Sequence, residues 1–114
     1  MSIDDLLDRQ YDRRRYNCLH FAAESWERLT GDKRLNGVRE QDIQGSATRE
    51  VFRSFQKVKG PTIEPSVALM ETRLGDVHIG VCLNRCLLHI SEGRPEMFPI
   101  ETFSQQFSKF RFYR

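Results

Sequence analysis

The sequence predicts an α+β domain in which N-terminal helices pack on a C-terminal antiparallel sheet, and three observations carry that prediction. Apolar residues recur at helical spacing from Cys18 to Leu29, strand-like runs take over from Val67 onward, and Gly60-Pro61, Pro65 and Asn84-Arg85 supply the breaks. With 114 residues and an apolar share of 39%, including eight Phe and one Trp, the chain can bury one core. Residues 1–114 therefore read as a single domain, without repeat, low-complexity tract or linker.

Taken in order, Ser2 can cap a short helix over Ile3 to Arg9, and Tyr11 to Arg15 shows no period. The strongest helix follows. Asn17 is a good N-cap, Cys18, Phe21, Ala22, Ser25, Trp26 and Leu29 form one face, and Gly31 ends it. Residues 32–48, rich in Gly, Asn, Asp, Gln and Arg, read as a long connection. A second amphipathic helix is predicted from about Ala47 to Lys57, burying Val51, Phe52 and Phe55. Strands are predicted at Val67 to Thr72, Asp76 to Leu83, Cys86 to Ser91 and Lys109 to Tyr113, with a short helix near Pro99 to Phe107 before the last.

Lys and Arg number 18 against 16 Asp and Glu, a net charge of +2, so the balance does not demand nucleic acid. Basic residues gather at Arg13-Arg14-Arg15 and at Lys109, Arg111 and Arg114. These read as solvated faces in preference to a phosphate- or carboxylate-binding patch. No apolar run is long enough to cross a bilayer, and Met1-Ser2-Ile3-Asp4-Asp5 lacks the basic and apolar regions of a signal peptide. Three cysteines, an odd number, argue against a disulfide framework and for a reducing compartment.

A thiol nucleophile needs a setting that favours its thiolate, a base, and a group that holds the base in one tautomer. Cys18 falls in the first turn of a capped helix, where the dipole favours negative charge. If Asn84-Arg85 is a two-residue hairpin turn, Leu83 faces Cys86, Cys82 faces Leu87, Gly80 faces His89 and His78 faces Ser91. His78, Gly80, Cys82, Leu87, His89 and Ser91 then share one face of the sheet. The two imidazoles become diagonal neighbours within hydrogen-bonding reach, and Gly80 leaves space beside His89. The roles that follow are Cys18 as nucleophile, His78 as base and acid, and His89 as orienter. The Cys18 N–H, with the hydroxyl of Tyr11 or Tyr16, is the candidate oxyanion hole. Taken singly, Cys18 reads as a buried small hydrophobe and His89 as a packed core histidine; together with His78 they favour catalysis. A metal site of Cys18, His78 and His89 lacks close ligand spacing and is the weakest reading. His20 reads as a structural contact, and Cys82 and Cys86 as small strand residues.

The order of a Cys at a helix start, a strand His78-Ile79-Gly80-Val81, and Leu88-His89 after a hairpin resembles the NlpC-type cysteine peptidases, a papain-like family. Tyr16-Asn17-Cys18 with the helix through Trp26, the run Pro65 to Met70, and the ending Phe110-Arg111-Phe112-Tyr113-Arg114 are similar to small NlpC-like proteins of bacteriophage tail gene clusters. The resemblance covers most of the chain outside residues 31–60. It implies a papain-like NlpC-type fold and hydrolysis of amide bonds in peptidoglycan stem peptides through a thioester on Cys18. His78 would protonate the leaving amine, and no metal or organic cofactor is implied. The resemblance also implies a place in the virion, at the phage tail tip beside hub and tape-measure proteins, with no nucleic-acid partner and no membrane insertion. Where that family usually has Asp before the Cys and Ser-Gly after it, this chain has Asn17 and Leu19-His20. Asn17-Cys18-Leu19-His20-Phe21 is also similar to the Asn-Cys-Glu-His-Phe motif of lecithin:retinol acyltransferase-like proteins. In those the His strand precedes the Cys, so a thiol acyltransferase is the lesser enzyme reading. The alternative from another class is a non-catalytic structural or assembly subunit of the tail tip with the same fold.

Overall fold

The computed structural model describes residues 3–44 and 48–114. Helix α1 (Cys18–Thr30) lies where the apolar spacing predicts it. The side-chain oxygen of Asn17 accepts the N–H of Leu19 at 3.0 Å, and the N–H of Asn17 donates to Nδ1 of His20 at 3.1 Å, a closed capping box. Gly31 ends the helix with φ of 77°, a left-handed conformation that glycine enters without strain.

One antiparallel sheet of six strands has the order β1-β6-β2-β3-β4-β5. Its members are β1 (Lys57–Val58), β2 (Ser66–Thr72), β3 (Val77–Leu83), β4 (Cys86–His89), β5 (Glu96–Pro99) and β6 (Phe107–Tyr113). The α+β class therefore holds. Asn84 and Arg85 take φ of 53° and 62°, the two-residue turn on which the register depends, and Cys82 pairs with Leu87 and Leu83 with Cys86 as expected. Alternation gives the sheet two sides. On the α1 side, Val67, Leu69, Ile79 and Val81 pack with Leu19, Ala22, Trp26, Phe52 and Phe55. On the other, Ala68, Met70, Cys82 and Leu87 pack with Ile100, Phe103 and Phe112. A third cluster joins Leu6 and Phe21 to Leu88 and Ile90.

Several elements differ from expectation. The helix over Ile3 to Arg9 is only a 3-10 turn, Leu6–Asp8, because Arg9 leaves it in extended conformation and its guanidinium bonds Glu24 of α1 at 2.6 Å. Ser2, its expected cap, lies outside the described residues. Within Tyr11 to Arg15, Asp12 accepts the N–H groups of Arg14 and Arg15 and bridges to Tyr16, which makes a tight loop. The long connection carries one turn of helix, α2 (Glu40–Ile43), anchored by buried Leu35 and Ile43.

The helix expected from Ala47, itself outside the described residues, to Lys57 shrinks to α3 (Thr48–Val51). Phe52 and Phe55 are buried as expected, but Lys57 and Val58 pair with Tyr113 and Phe112, which draws the chain out of helix. Strand β5 is an addition, and the helix near Pro99 to Phe107 is a 3-10 turn, Ile100–Phe103. Strand β4 stops at His89, so Ser91, expected opposite His78, is an exposed loop residue.

Candidate active site

His78 is the second residue of β3 and His89 the last of β4, and the hairpin brings their rings together as the register predicts. Nε2 of His78 lies 2.9 Å from Nδ1 of His89, with the rings edge to face. Both project to the side of the sheet away from α1, where His78 stacks on Phe107 and His89 meets Phe103 edge-on, each at 4.9 Å. His78 is 7% exposed and His89 2%. Burial, with the charge of His89 adding to it, pushes His78 down to about 3. Burial also lowers His89, against the pull of Glu96. Both rings are therefore neutral at pH 7. Gly80 leaves no vacancy beside His89: a Cβ there would stand 2.8 Å from Leu87 Cδ1 and 2.9 Å from the Leu88 carbonyl. Its function is to let β4 approach.

Cys18 is reached from the opposite direction. Capped α1 packs on the α1 side of the sheet, and Cys18 sits between the cluster that holds Ile79 and the one that holds Leu88 and Ile90. Residues Leu83 and Val81 exchange hydrogen bonds with β4, and by alternation the N–H of Ile79 points the same way. The β3–β4 pairing has ended there, which leaves the N–H of Ile79 open toward the thiol of Cys18. Burial is the largest influence on that thiol and raises its pKa; the Ile79 N–H opposes it, and the charge of Glu40 adds to the rise. So the fold unites His78 with His89 but does not bring Cys18 onto their face: the thiol packs on the α1 side with the cluster of Ile79, and the imidazoles lie on the other side with Phe107. The hydrogen bond of His78 runs to His89, and its Nδ1 has no hydrogen-bond partner among the described residues.

The two tyrosines separate. Tyr16 gives its hydroxyl to Glu24, which Arg9 also clamps, so it is committed away from Cys18. Tyr11 packs in the same cluster as Cys18, and its pKa is raised first by burial and then by the charge of a Cys18 thiolate. Both tyrosines pack in the cluster that holds Cys18, and of the two it is Tyr11 whose hydroxyl is not committed to Glu24. His20 is a capping residue, as expected. It shares with Leu19 the walls of two clefts of about 380 and 360 Å³ beside the first turns of α1. These are the positions where the resembled family carries small residues. Cys82 is buried, its thiol 3.5 Å from the Thr62 carbonyl. Among the described residues, no group of three His, Cys, Asp or Glu side chains is arranged to hold a metal ion.

One residue of this line escaped the sequence reading. Glu96 on β5 pairs with His89 in register and brings its carboxylate to 3.3 Å from His89 Nε2. Among the described residues Nε2 has no other acceptor, and the contact is an ion-pair distance short of hydrogen-bond alignment. A proton on Nε2 facing Glu96 leaves Nδ1 of His89 as acceptor, so Nε2 of His78 must carry the proton between them. Nδ1 of His78 is then a free lone pair, the form a general base needs. The only local signal for Glu96 was its place two residues before Phe98 in a short run between Pro95 and Pro99. Comparison of the chain with family models, curated proteins and solved structures finds no match in any of the three.

Proposed function

We propose that this chain is a thiol hydrolase of NlpC type, with a papain-like fold, that cleaves amide bonds of peptidoglycan stem peptides from the tail tip of a bacteriophage. The observation that carries the reading is the line Glu96–His89–His78, which leaves a neutral imidazole with an unpaired Nδ1 one residue along β3 from Ile79, whose cluster Cys18 packs against from the other face. With thiol and imidazole both neutral at rest, chemistry begins by general-base catalysis. The Cys18 thiol, on the α1 side of the sheet, and Nδ1 of His78, on the other, must approach each other around the edge that β4 leaves open. In that approach Nδ1 takes the thiol proton as Sγ attacks the carbonyl carbon, and the oxyanion takes hydrogen bonds from the Cys18 N–H and the Tyr11 hydroxyl. The imidazolium returns its proton to the leaving amine, and a thioester remains. Water, deprotonated by His78, then releases the acid and restores the thiol. His89, held by Glu96, accepts from His78 throughout and fixes the ring.

The test is digestion of purified peptidoglycan, read as new amino groups and by mass spectrometry of the fragments. Wild type is expected to release stem-peptide fragments, and Cys18→Ala and His78→Gln to release none. Equal release by all three, or by none, overturns the proposal.

The second reading, a non-catalytic assembly subunit of the tail tip, is favoured by the burial that raises the Cys18 pKa. It predicts full infectivity of phage carrying Cys18→Ser.

A further inference from the structure

We propose that the groove between α3 and the β1–β6 edge of the sheet binds a phosphate-bearing anion. The cavity measures about 540 Å³, carries Arg49, Arg53, Lys57 and Arg111, and is floored by Phe52 and Tyr113. Lys57 pairs across the sheet with Tyr113, and Arg111 lies two residues back along β6, so alternation sends all three side chains to one side. Tyr113 packs on Phe52 at 4.7 Å, which fixes the floor.

Three of the four cations are not neutralised in place. Arg53 meets Glu50 at 2.7 Å, and among the described residues Arg49, Lys57 and Arg111 have no ion pair. The contrast within the C-terminal basic group is instructive. Lys109 meets Glu71 at 3.6 Å and Arg114 meets Glu64 at 2.6 Å, whereas Arg111 lines the groove with its Nε buried and, among the described residues, without an acceptor. A buried donor left unpaired is unfavourable, and so is the mutual repulsion of like charges around one cavity. An anion with several oxygens relieves both at once. Guanidinium forks match phosphate geometry, which three arginines and one lysine favour over a lone carboxylate. Phe52 is buried and Tyr113 half-buried, so the floor offers no open stacking platform and recognition falls on the phosphate itself.

The phosphate could belong to a small phosphate compound or to a nucleic-acid backbone, and two probes separate these sources. Pyrophosphate is titrated into 15N-labelled protein while amide shifts are followed, and a fluorescein-labelled oligo(dT) is titrated by anisotropy at two salt concentrations. Saturable shifts centred on Arg49, Lys57, Arg111 and Tyr113 are expected. Arg111→Met and Lys57→Gln should each weaken binding about tenfold or more. Oligo(dT) binding no tighter than pyrophosphate assigns the groove to small phosphates; tighter binding that falls steeply with salt assigns it to nucleic-acid phosphates. Absence of saturable shifts with either probe at millimolar concentration overturns the site. So does equal weakening by Arg73→Gln and Arg94→Gln, which remove exposed charges elsewhere. Lys57 and Arg49 are themselves exposed, so the Lys57→Gln and Arg49→Gln pair keeps the test decisive if Arg111→Met does not fold.

Discussion

At His89 the buried Nε2 faces one carboxylate, that of Glu96, and the proton between them sets the tautomer of both rings. Glu96→Ala removes that constraint without touching the core, since the side chain is 48% exposed. Long-range 15N–1H spectra of wild type are expected to show His78 protonated on Nε2 alone; in Glu96→Ala the resonances should move toward a mixture of tautomers. On the proposed hydrolysis, turnover on peptidoglycan should fall about tenfold to a hundredfold with KM nearly constant, because a positioning residue acts on the base and not on binding. Unmoved spectra in the variant would show that the protein packing alone holds the rings. Cys18 gives a second expectation at this scale. Burial raises its pKa, so alkylation by iodoacetamide should be slow at pH 7 and quicken about tenfold per pH unit above it. Rapid labelling at pH 6, seen by peptide mass spectrometry, would instead mean a preformed thiolate–imidazolium pair.

Two elements hold the site, and each hinges on one residue. Helix α1 presents Cys18 because Asn17 caps it and His20 closes the box from the third helical position. Asn17→Ala should cost about 1 kcal/mol in urea unfolding, and adding His20→Ala should cost less than the sum of the two. The β3–β4 hairpin holds the histidines together because Gly80 lets β4 approach. Gly80→Ala forces a methyl against Leu87 and the Leu88 carbonyl, and the backbone atom cannot turn aside. A loss of about 1–3 kcal/mol is expected, with a longer His78–His89 separation in a crystal structure of the variant. Unchanged stability would mean that β4 can shift at little cost.

For the whole molecule, burial of neutral His78 ties stability to pH. Its folded pKa, about 3, lies below the ordinary 6.5, so below pH 6.5 the unfolded chain binds a proton that the folded chain refuses. Stability from this group is therefore complete above pH 6.5 and is lost as pH falls toward 3, at up to about 1.4 kcal/mol per pH unit. His89, lowered by burial too, acts in the same direction. Asp32, held down to about 2 chiefly by Arg34, contributes only at lower pH, and Glu24, lowered chiefly by Arg9, adds its loss as pH nears 4.5, so urea denaturation between about pH 6.5 and 5.5 reports chiefly the imidazoles. A steep decline in that window is expected for wild type and a shallower one for His78→Gln. A flat profile in wild type would show the rings to be solvated.

What the sequence determines by itself is whatever rests on neighbours along the chain. Helix α1 follows from Asn17, the apolar spacing and Gly31, all within two turns of the residues they govern. The contact of His78 with His89 follows as well, because a two-residue turn has fixed parity and parity alone assigns every side chain of a hairpin to a face. Tertiary structure decides the rest. The helix begun at Thr48 ends early because β6, more than fifty residues away in sequence, offers Lys57 and Val58 a strand partner. Glu96 reaches His89 because β5, an exposed edge strand with no periodic signal, pairs with β4. Cys18 packs against the cluster of Ile79, because β4 leaves β3 after Leu88 and opens that N–H to the first turn of the helix. Each of these depends on a hydrogen-bonding group left open by one segment and filled by another distant in sequence, and no local pattern records that match.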